Sequence, residues 1–216
     1  MTGDSLSPAG GEGRGEGDHF FTSLASFITF LCPRCSKSLA NSPDGAVTVS
    51  GNRVPRLVFL ALLVACAVQA LVYYPQLPAN LASHFDGAGR ANGWSSKAGF
   101  FALQALVVLL VAGLFGMLPA WLHRFPNQLI NLPHKDYWLA PDRREATLGL
   151  VADAMTWFGC AALLLMLAVT QLVIRFNLER SPALPSTPMW ALVAGFGLCT
   201  VLLIARLLRF TRRPRE

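Results

Sequence analysis

Four long apolar segments without a charged residue constrain the fold of this chain more than any other feature. They run from Leu57 to Tyr74, Ala98 to Leu122, Ala154 to Ile174 and Met189 to Ala205. A helix rises about 1.5 Å per residue, so a hydrocarbon core of about 30 Å needs about 20 residues, and the fourth segment reaches this length if Arg206 snorkels. A soluble bundle would need a polar face that these segments lack. The sequence therefore predicts an all-α, polytopic membrane protein with four transmembrane helices.

Lysine and arginine are distributed unevenly among the segments that flank these helices. Near the membrane ends, eleven lie in residues 53–56, 123–145 and 206–215, whereas four lie in residues 75–97 and 175–188. The positive-inside rule then puts both termini and the loop 123–145 in the cytoplasm, and the loops 75–97 and 175–188 outside. Topology and contact with membrane lipids account for the net charge of +6, so no nucleic-acid partner is expected.

Residues 1–52 differ in composition from the four-helix domain expected over residues 53–216. The glycine-rich start predicts a disordered cytoplasmic tail, because it cannot bury enough apolar surface to offset chain entropy. Residues 20–31 are apolar but too short to span; they are either a membrane-surface segment or upstream of the true start. Cys32 and Cys35 could form half a zinc site or a redox dithiol, but structural zinc takes four ligands. We therefore predict no metal and no cofactor.

The predicted outer loop, residues 75–97, carries the strongest local motif of the sequence. Three glycines within seven residues, Gly87 to Gly93, permit a tight reversal and favour a compact loop. We expect His84 to be held by Asp86 or by one of the glutamines near the outer helix ends. The candidate binding or signalling residues of this loop are His84, Phe85, Asp86, Gly89, Trp94 and Lys97.

The predicted cytoplasmic loop, residues 123–145, contains a second candidate group. Its prolines and aromatic residues favour a segment along the lipid headgroups, with the third helix beginning near Pro141. The candidates here are Asn131, Pro133, Lys135, Asp136, Tyr137 and Trp138. His134 and Asp136 could support acid–base chemistry, but no nucleophile or metal-ligand spacing accompanies them. We therefore predict no catalytic residue and no enzyme activity.

Polar side chains inside the predicted helices are costly in lipid, so each one is a candidate for a specific role. Gln69, Gln104 and Gln171 lie near the outer helix ends. They either face one another beneath the outer loop or bond neighbouring helices as packing contacts. Asp153, near the cytoplasmic end of the third helix, either relays protons or pairs with a nearby arginine, Arg124 or Arg206.

Residues 73–100 combine a proline, a His-Phe pair, a glycine turn, an aromatic residue and a lysine between two spans. This pattern resembles the domain of unknown function 1648, found in SdpI-type membrane proteins, and residues 131–141 are similar to the cytoplasmic loop of its short members. Asp86 departs from the asparagine usual in the family, and the further spans of longer members are absent. The resemblance implies a multi-pass protein of the bacterial cytoplasmic (inner) membrane, in a family that includes immunity and sensing proteins.

From these features we expect a non-enzymatic protein whose outer loop senses, or confers immunity to, an antimicrobial peptide or envelope stress. A secreted peptide and a cytoplasmic regulator are the partners that this role implies. The alternatives are a small transporter or permease subunit, and a purely structural or assembly role. The sequence does not determine the oligomeric state.

Overall fold

The computed structural model describes residues 53–210, and its main elements are four long helices. The chain order is α1 (Arg53–Tyr73), β1 (Asn80–Phe85), β2 (Ala91–Ser96), α2 (Lys97–Val111), a π-helix (Ala112–Met117), α3 (Leu118–Trp121), two 3₁₀ turns (Leu122–Arg124 and Asn127–Leu129), α4 (Lys135–Trp138), α5 (Arg144–Glu179) and α6 (Ser186–Phe210). The predicted tail with Cys32 and Cys35 lies outside the described residues.

Four helical stretches are long and apolar enough to cross a membrane, which confirms the predicted fold class. They are Arg53–Tyr73, Lys97–Arg124, Arg144–Glu179 and Ser186–Arg209. The first, second and fourth expose rows of large apolar side chains, such as Leu103, Leu106 and Leu109 on α2. Such surfaces suit lipid rather than water. The chain is therefore a multi-pass membrane protein.

The central element of the bundle is α5, which contacts α1, α6 and the π-helix. It has 36 residues, a length of about 54 Å, which exceeds a hydrocarbon core of about 30 Å. It begins at Arg144 rather than near Pro141, because residues 141–143 form a turn in which the N–H groups of Arg143 and Arg144 both bond the Ala140 carbonyl. Residues beyond both ends of the apolar run therefore belong to one continuous helix.

A π-helical segment interrupts the second spanning stretch, whereas the sequence suggested only Pro119 as a break. The Leu118 N–H bonds the Gly113 carbonyl, five residues earlier. Proline has no N–H and its ring clashes with the carbonyl four residues before it, here that of Phe115, so a widened turn relieves the conflict. The segment also packs closely, since a Cβ on Gly116 would lie 2.8 Å from the Phe59 ring.

The segment predicted as a compact loop is an antiparallel β-hairpin. Asn80 lies opposite Ser96, and Ala82 opposite Trp94, and irregularities follow between Ala82 and Phe85. The turn closes where the Asp86 N–H bonds the Arg90 carbonyl, at 2.9 Å. These strands contain no β-branched residue, so their sequence carried little strand signal. Contacts with other elements supply the stabilisation.

Candidate functional site

The end of the bundle that carries the β-hairpin holds the first group of candidate residues; we call residues 74–97 and 175–185 the hairpin end. Asn177, in the last turns of α5, fixes the hairpin there. Its Oδ1 accepts a hydrogen bond from the Ala82 N–H at 2.8 Å, and its Nδ2 donates to the Ala82 carbonyl at 3.0 Å and to the Val173 carbonyl at 2.8 Å. The Phe85 and Phe176 rings meet edge to face, 4.8 Å apart. The Asn177 amide therefore satisfies the backbone of β1 much as a neighbouring strand would.

The tip of the hairpin contacts the segment between α5 and α6. The Leu184 N–H donates to the Gly89 carbonyl at 2.7 Å, and Leu184 is only 4% exposed. Gly89 has a φ of 78°, and a Cβ there would overlap the Leu184 carbonyl oxygen. Glycine is required at this position both for its backbone conformation and for the close approach. The two loops predicted on one side of the membrane are thus in direct contact.

Asp86 organises the turn and does not hold His84, so that expectation is wrong. Its Oδ1 accepts from the N–H groups of Ala88 and Arg90 at 2.9 and 2.8 Å, and its Oδ2 accepts from Arg90 Nε at 3.1 Å. The hydrogen bond from the Arg90 backbone, followed by further Arg90 and Ala88 contacts, lowers the pKa of Asp86. The His84 Nδ1 instead lies 3.0 Å from Ser83 Oγ.

His84 and Trp94 are exposed on opposite faces of the hairpin. A Cβ on Gly93 would lie 3.0 Å from the His84 Cβ, which puts His84 on the face that Gly93 occupies. Successive strand residues alternate between faces, so Trp94 belongs to the other face, where it is 66% exposed. The two side chains cannot form one compact site.

Lys97, the first residue of α2, joins the base of the hairpin to the segment that follows α1. Its Nζ lies 3.4 Å from the Leu77 carbonyl and 3.5 Å from the Tyr74 carbonyl, and 5.0 Å from the centre of the Tyr74 ring. Ser96 caps α2 by accepting the Gly99 N–H at 3.1 Å. Phe85, Asp86, Gly89 and Lys97 therefore all have contacts that build the hairpin end.

Two of the three glutamines meet inside the bundle, which is one of the two arrangements that the sequence left open. Gln69 Nε2 donates to Gln171 Oε1 at 2.9 Å and to the Leu167 carbonyl at 3.1 Å, and Gln171 Nε2 donates to the Tyr73 hydroxyl at 3.2 Å. Gln104 does not join this network. It lies on α2, which has one buried residue, Phe101, and so packs loosely against its neighbours.

The carboxylate of Asp153, on α5, is affected by the charge of an arginine that the sequence did not suggest. The charge that acts on its carboxylate is that of Arg56, near the start of α1. The predicted partners were Arg124 and Arg206, which stand on other helices.

At the opposite end of the bundle, the Arg144 side chain donates hydrogen bonds to the segment around the end of the second span. Its Nη2 bonds the carbonyls of Phe125 at 2.8 Å and His123 at 3.2 Å, and its Nε bonds Asn127 Oδ1 at 2.9 Å. A small core of Leu122, Ile130, Leu139 and Leu148 lies beside these bonds. The Arg144 guanidinium therefore bonds oxygen atoms of the protein, including Glu145 Oε1 through Nη1 at 3.2 Å.

The second candidate group is dispersed over this segment. Asn131, Pro133, Lys135 and Asp136 are exposed, whereas Tyr137 and Trp138 are half-buried. The Arg143 guanidinium stacks 4.1 Å from the centre of the Tyr137 ring, and Thr147 Oγ1 donates to the Trp138 carbonyl at 2.9 Å. Within residues 53–210 no group of three or more His, Cys, Asp or Glu side chains could hold a metal ion.

Sequence reasoning missed Asn177, Leu184 and Arg144 as organising residues. Asn177 follows the apolar run that ends at Ile174, in a stretch without glycine or proline up to Arg180. That continuity could have indicated a helix extending beyond the membrane. The hairpin residues that bond Asn177 and Leu184 are Ala82 and Gly89, each 95 positions away, so no local pattern identifies them.

Comparison with known proteins gives a match over the first two spans. No similar protein is found among curated proteins, and none among solved structures. The family model described as domain of unknown function (DUF1648) matches residues 61–108. That interval contains most of α1, the complete hairpin and the start of α2, and it overlaps the motif at residues 73–100. Over residues 61–108, this membrane protein is therefore similar to the domain of unknown function 1648 family.

Proposed function

We propose that this protein is an SdpI-like, non-enzymatic protein of the bacterial inner membrane that senses, or confers immunity to, an antimicrobial peptide or envelope stress through its hairpin. The observation that carries the proposal is the fixed position of the hairpin. Asn177 bonds both backbone groups of Ala82, so one edge is held on α5 while Trp94 and His84 stay exposed. A held platform with exposed side chains suits binding, because little ordering entropy remains to be lost.

The same helix supports a route by which a bound state reaches the other side of the membrane. α5 bonds the hairpin through Asn177 near its end, and bonds the opposite segment through Arg144 and Thr147 near its start. A partner that shifts the hairpin acts on α5 directly. A cytoplasmic regulator at the exposed residues of the opposite segment, such as Lys135 and Asp136, would receive that change.

The proposal requires the hairpin to face outward, as the distribution of lysine and arginine predicts. Single cysteines at Ala88 and at Ala140 test this in a background where the native cysteines are replaced. In intact cells a membrane-impermeant maleimide should label the Ala88→Cys protein and not the Ala140→Cys protein. Labelling with the reverse preference would place the hairpin in the cytoplasm and end the sensing hypothesis.

The functional test compares variants of the exposed residues in a strain that lacks the native protein. Cells are challenged with a panel of antimicrobial peptides and envelope stresses, and survival is scored beside membrane abundance. We expect Trp94→Ala and His84→Ala to keep wild-type abundance, because both side chains are exposed, and at least one of them to lose protection. Gln128→Ala, exposed at the opposite end, is the matched control. Full protection in both variants would contradict the proposal.

A transport role is the second candidate, and the π-helix favours it. π-Helical segments occur frequently at functional sites, and the one at Ala112–Met117 lies within a spanning stretch. In proteoliposomes, a transporter would show solute flux that is lost when Pro119→Ala restores a regular helix. Protection of cells without any such flux would favour the sensing role.

A further inference from the structure

The two edges of the hairpin differ in what they offer a partner. The outer edge of β1 is occupied, since the Asn177 amide takes both the N–H and the carbonyl of Ala82. β1 is also the strand that contacts α5, whereas the main contacts of β2 are with β1 and the adjoining α2. Within residues 53–210, the outer edge of β2 is therefore the open edge of this sheet.

The register shows which backbone groups of β2 face outward. Directly opposed residues of an antiparallel pair alternate between those that bond each other and those whose N–H and carbonyl groups turn away. Ala82 lies opposite Trp94, and the backbone groups of Ala82 turn away to Asn177. The N–H and carbonyl of Trp94 must then point to the other side, along the outer edge of β2. Ser96, two residues on, presents its N–H in the same direction.

A shallow pocket lies beside these groups. It has a volume of about 500 Å³ and is lined by Asn80, Trp94, Ser95 and Ser96. Its lining combines an exposed indole with amide and hydroxyl groups. The Ser95 hydroxyl is buried and makes no hydrogen bond to any part of residues 53–210. A polar partner at this place would satisfy a group that the chain leaves unmet.

The charges of the hairpin end favour an acidic partner. The hairpin end has two acidic residues, Asp86 and Glu179, and four basic ones, so its net charge is +2. The basic residues are Arg90, Lys97, Arg175 and Arg180. The Arg90 side chain, just before β2, is 74% exposed and meets Asp86 through Nε, which leaves its outer nitrogens directed to solvent. A strand added along β2 would pass this guanidinium.

We propose that an extended peptide segment bearing acidic residues binds as a third strand along the outer edge of β2. Its backbone pairs with the N–H and carbonyl of Trp94, one side chain enters the pocket between Asn80 and Ser96, and an acidic side chain meets Arg90. Strand addition to an open edge gives affinity through main-chain hydrogen bonds and specificity through alternate side chains. This inference rests on the proposed sensing function and names the occupant of the same hairpin.

The test uses the full-length chain in nanodiscs of uncharged phosphatidylcholine, panned against a phage library of random heptapeptides. Enriched sequences should be rich in Asp, Glu and β-branched residues. Each is then synthesised in two forms, with N-methyl groups on the alternate amides that face β2 or on those that face away. The first form should bind about tenfold more weakly, since backbone hydrogen bonds are removed, and the second should bind as the parent does.

A protein variant gives an independent measurement. Proline is tolerated on an edge strand where its missing N–H faces outward, so Trp94→Pro should keep the hairpin and lose peptide binding, whereas Trp94→Ala should lose only the contribution of the ring. Slow amide exchange at Leu81 verifies that the hairpin remains in each variant. The N-methylated peptides need no protein variant, so they decide the matter if Trp94→Pro does not fold.

Any of three results with peptides would overturn the inference. These are no enrichment of any peptide on the wild-type protein relative to the Trp94→Pro protein, equal binding of both methylated forms, or enrichment of basic peptides. Disulfide-linked dimers of an Asn92→Cys protein, without peptide enrichment, would assign the edge to a second copy of the chain and also overturn it. Peptide binding without any effect of Trp94→Pro on cell survival would refute the sensing function and leave the strand addition standing. Loss of protection in the Trp94→Pro strain, without peptide binding to the wild-type protein, would refute the strand addition and leave the sensing function standing.

Discussion

Asn177 is expected to control the local stability of the hairpin. Asn177→Ala removes the partners of the Ala82 N–H and carbonyl, at 2.8 and 3.0 Å, and Ala82 is only 3% exposed. A buried polar group left without a partner costs about 1 to 3 kcal/mol, so two such groups, with some access of water, should cost about 2 to 4 kcal/mol. Because the affected strand is not part of the spanning core, we expect the loss to appear as local opening rather than global unfolding.

Amide hydrogen exchange measures this loss directly. Since each 1.4 kcal/mol is a factor of ten, the protected amides of residues 81–85 should exchange about 30- to 700-fold faster in Asn177→Ala, whereas those in the middle of α5 should not change. Asn177→Asp keeps the acceptor for the Ala82 N–H and should give an intermediate effect. Asn92→Ala, an exposed asparagine of the same hairpin, is the control. Wild-type exchange of the hairpin in Asn177→Ala would refute the idea that the α5 contact holds it.

Three further predictions concern other contacts of the same end. Gly89→Ala should free the hairpin tip from Leu184, because the new Cβ would overlap the Leu184 carbonyl oxygen at a residue whose φ is 78°. A cysteine in place of Leu184 should then react faster with a maleimide, and an unchanged rate would contradict the close approach. The pKa of Asp86 is lowered below its ordinary 3.8. The carboxylate therefore stabilises the turn fully above pH 3.8, and this stabilisation is lost as the pH falls through the lower pKa of the folded state. An NMR titration of the Asp86 carboxyl with a midpoint above 3.8 would contradict this pH dependence. Gln171→Leu removes the bonds to Gln69 and Tyr73. At about 0.6 kcal/mol for each, the average for such bonds in membrane proteins, it should lower the free energy of unfolding of the bundle by about 1.2 kcal/mol, whereas Gln104→Leu should have no effect in the same melting experiment.

The spanning helices could be predicted from the sequence because partition into lipid is a sum over local residues. The four apolar runs each lie within a helix long enough to cross a membrane. Their ends were less certain: α5 continues to Glu179, five residues past the apolar run, since nothing in that stretch breaks a helix. Hydropathy reports where a helix can enter lipid, whereas helix propensity and capping decide where it ends.

The motif of the hairpin was also visible in the sequence, but its contacts were not. Gly89 and Asp86 were recognised as turn residues, and both do shape the turn. His84 was expected to pair with Asp86 because the two are close in sequence. In the structure the Asp86 carboxylate instead accepts hydrogen bonds from the backbone N–H groups of Ala88 and Arg90, as aspartate side chains commonly do in turns.

What the sequence alone determined was the class of protein, the number of spans and the position of the polar turn between the first two. The tertiary structure decided that this turn is a β-hairpin held by Asn177 and touched by Leu184, and that Gln69 meets Gln171 while Gln104 stays apart. The reason lies in the kind of free energy involved. Burial in lipid depends on each residue by itself, whereas a hydrogen bond depends on which distant group the packing of the helices brings within about 3 Å.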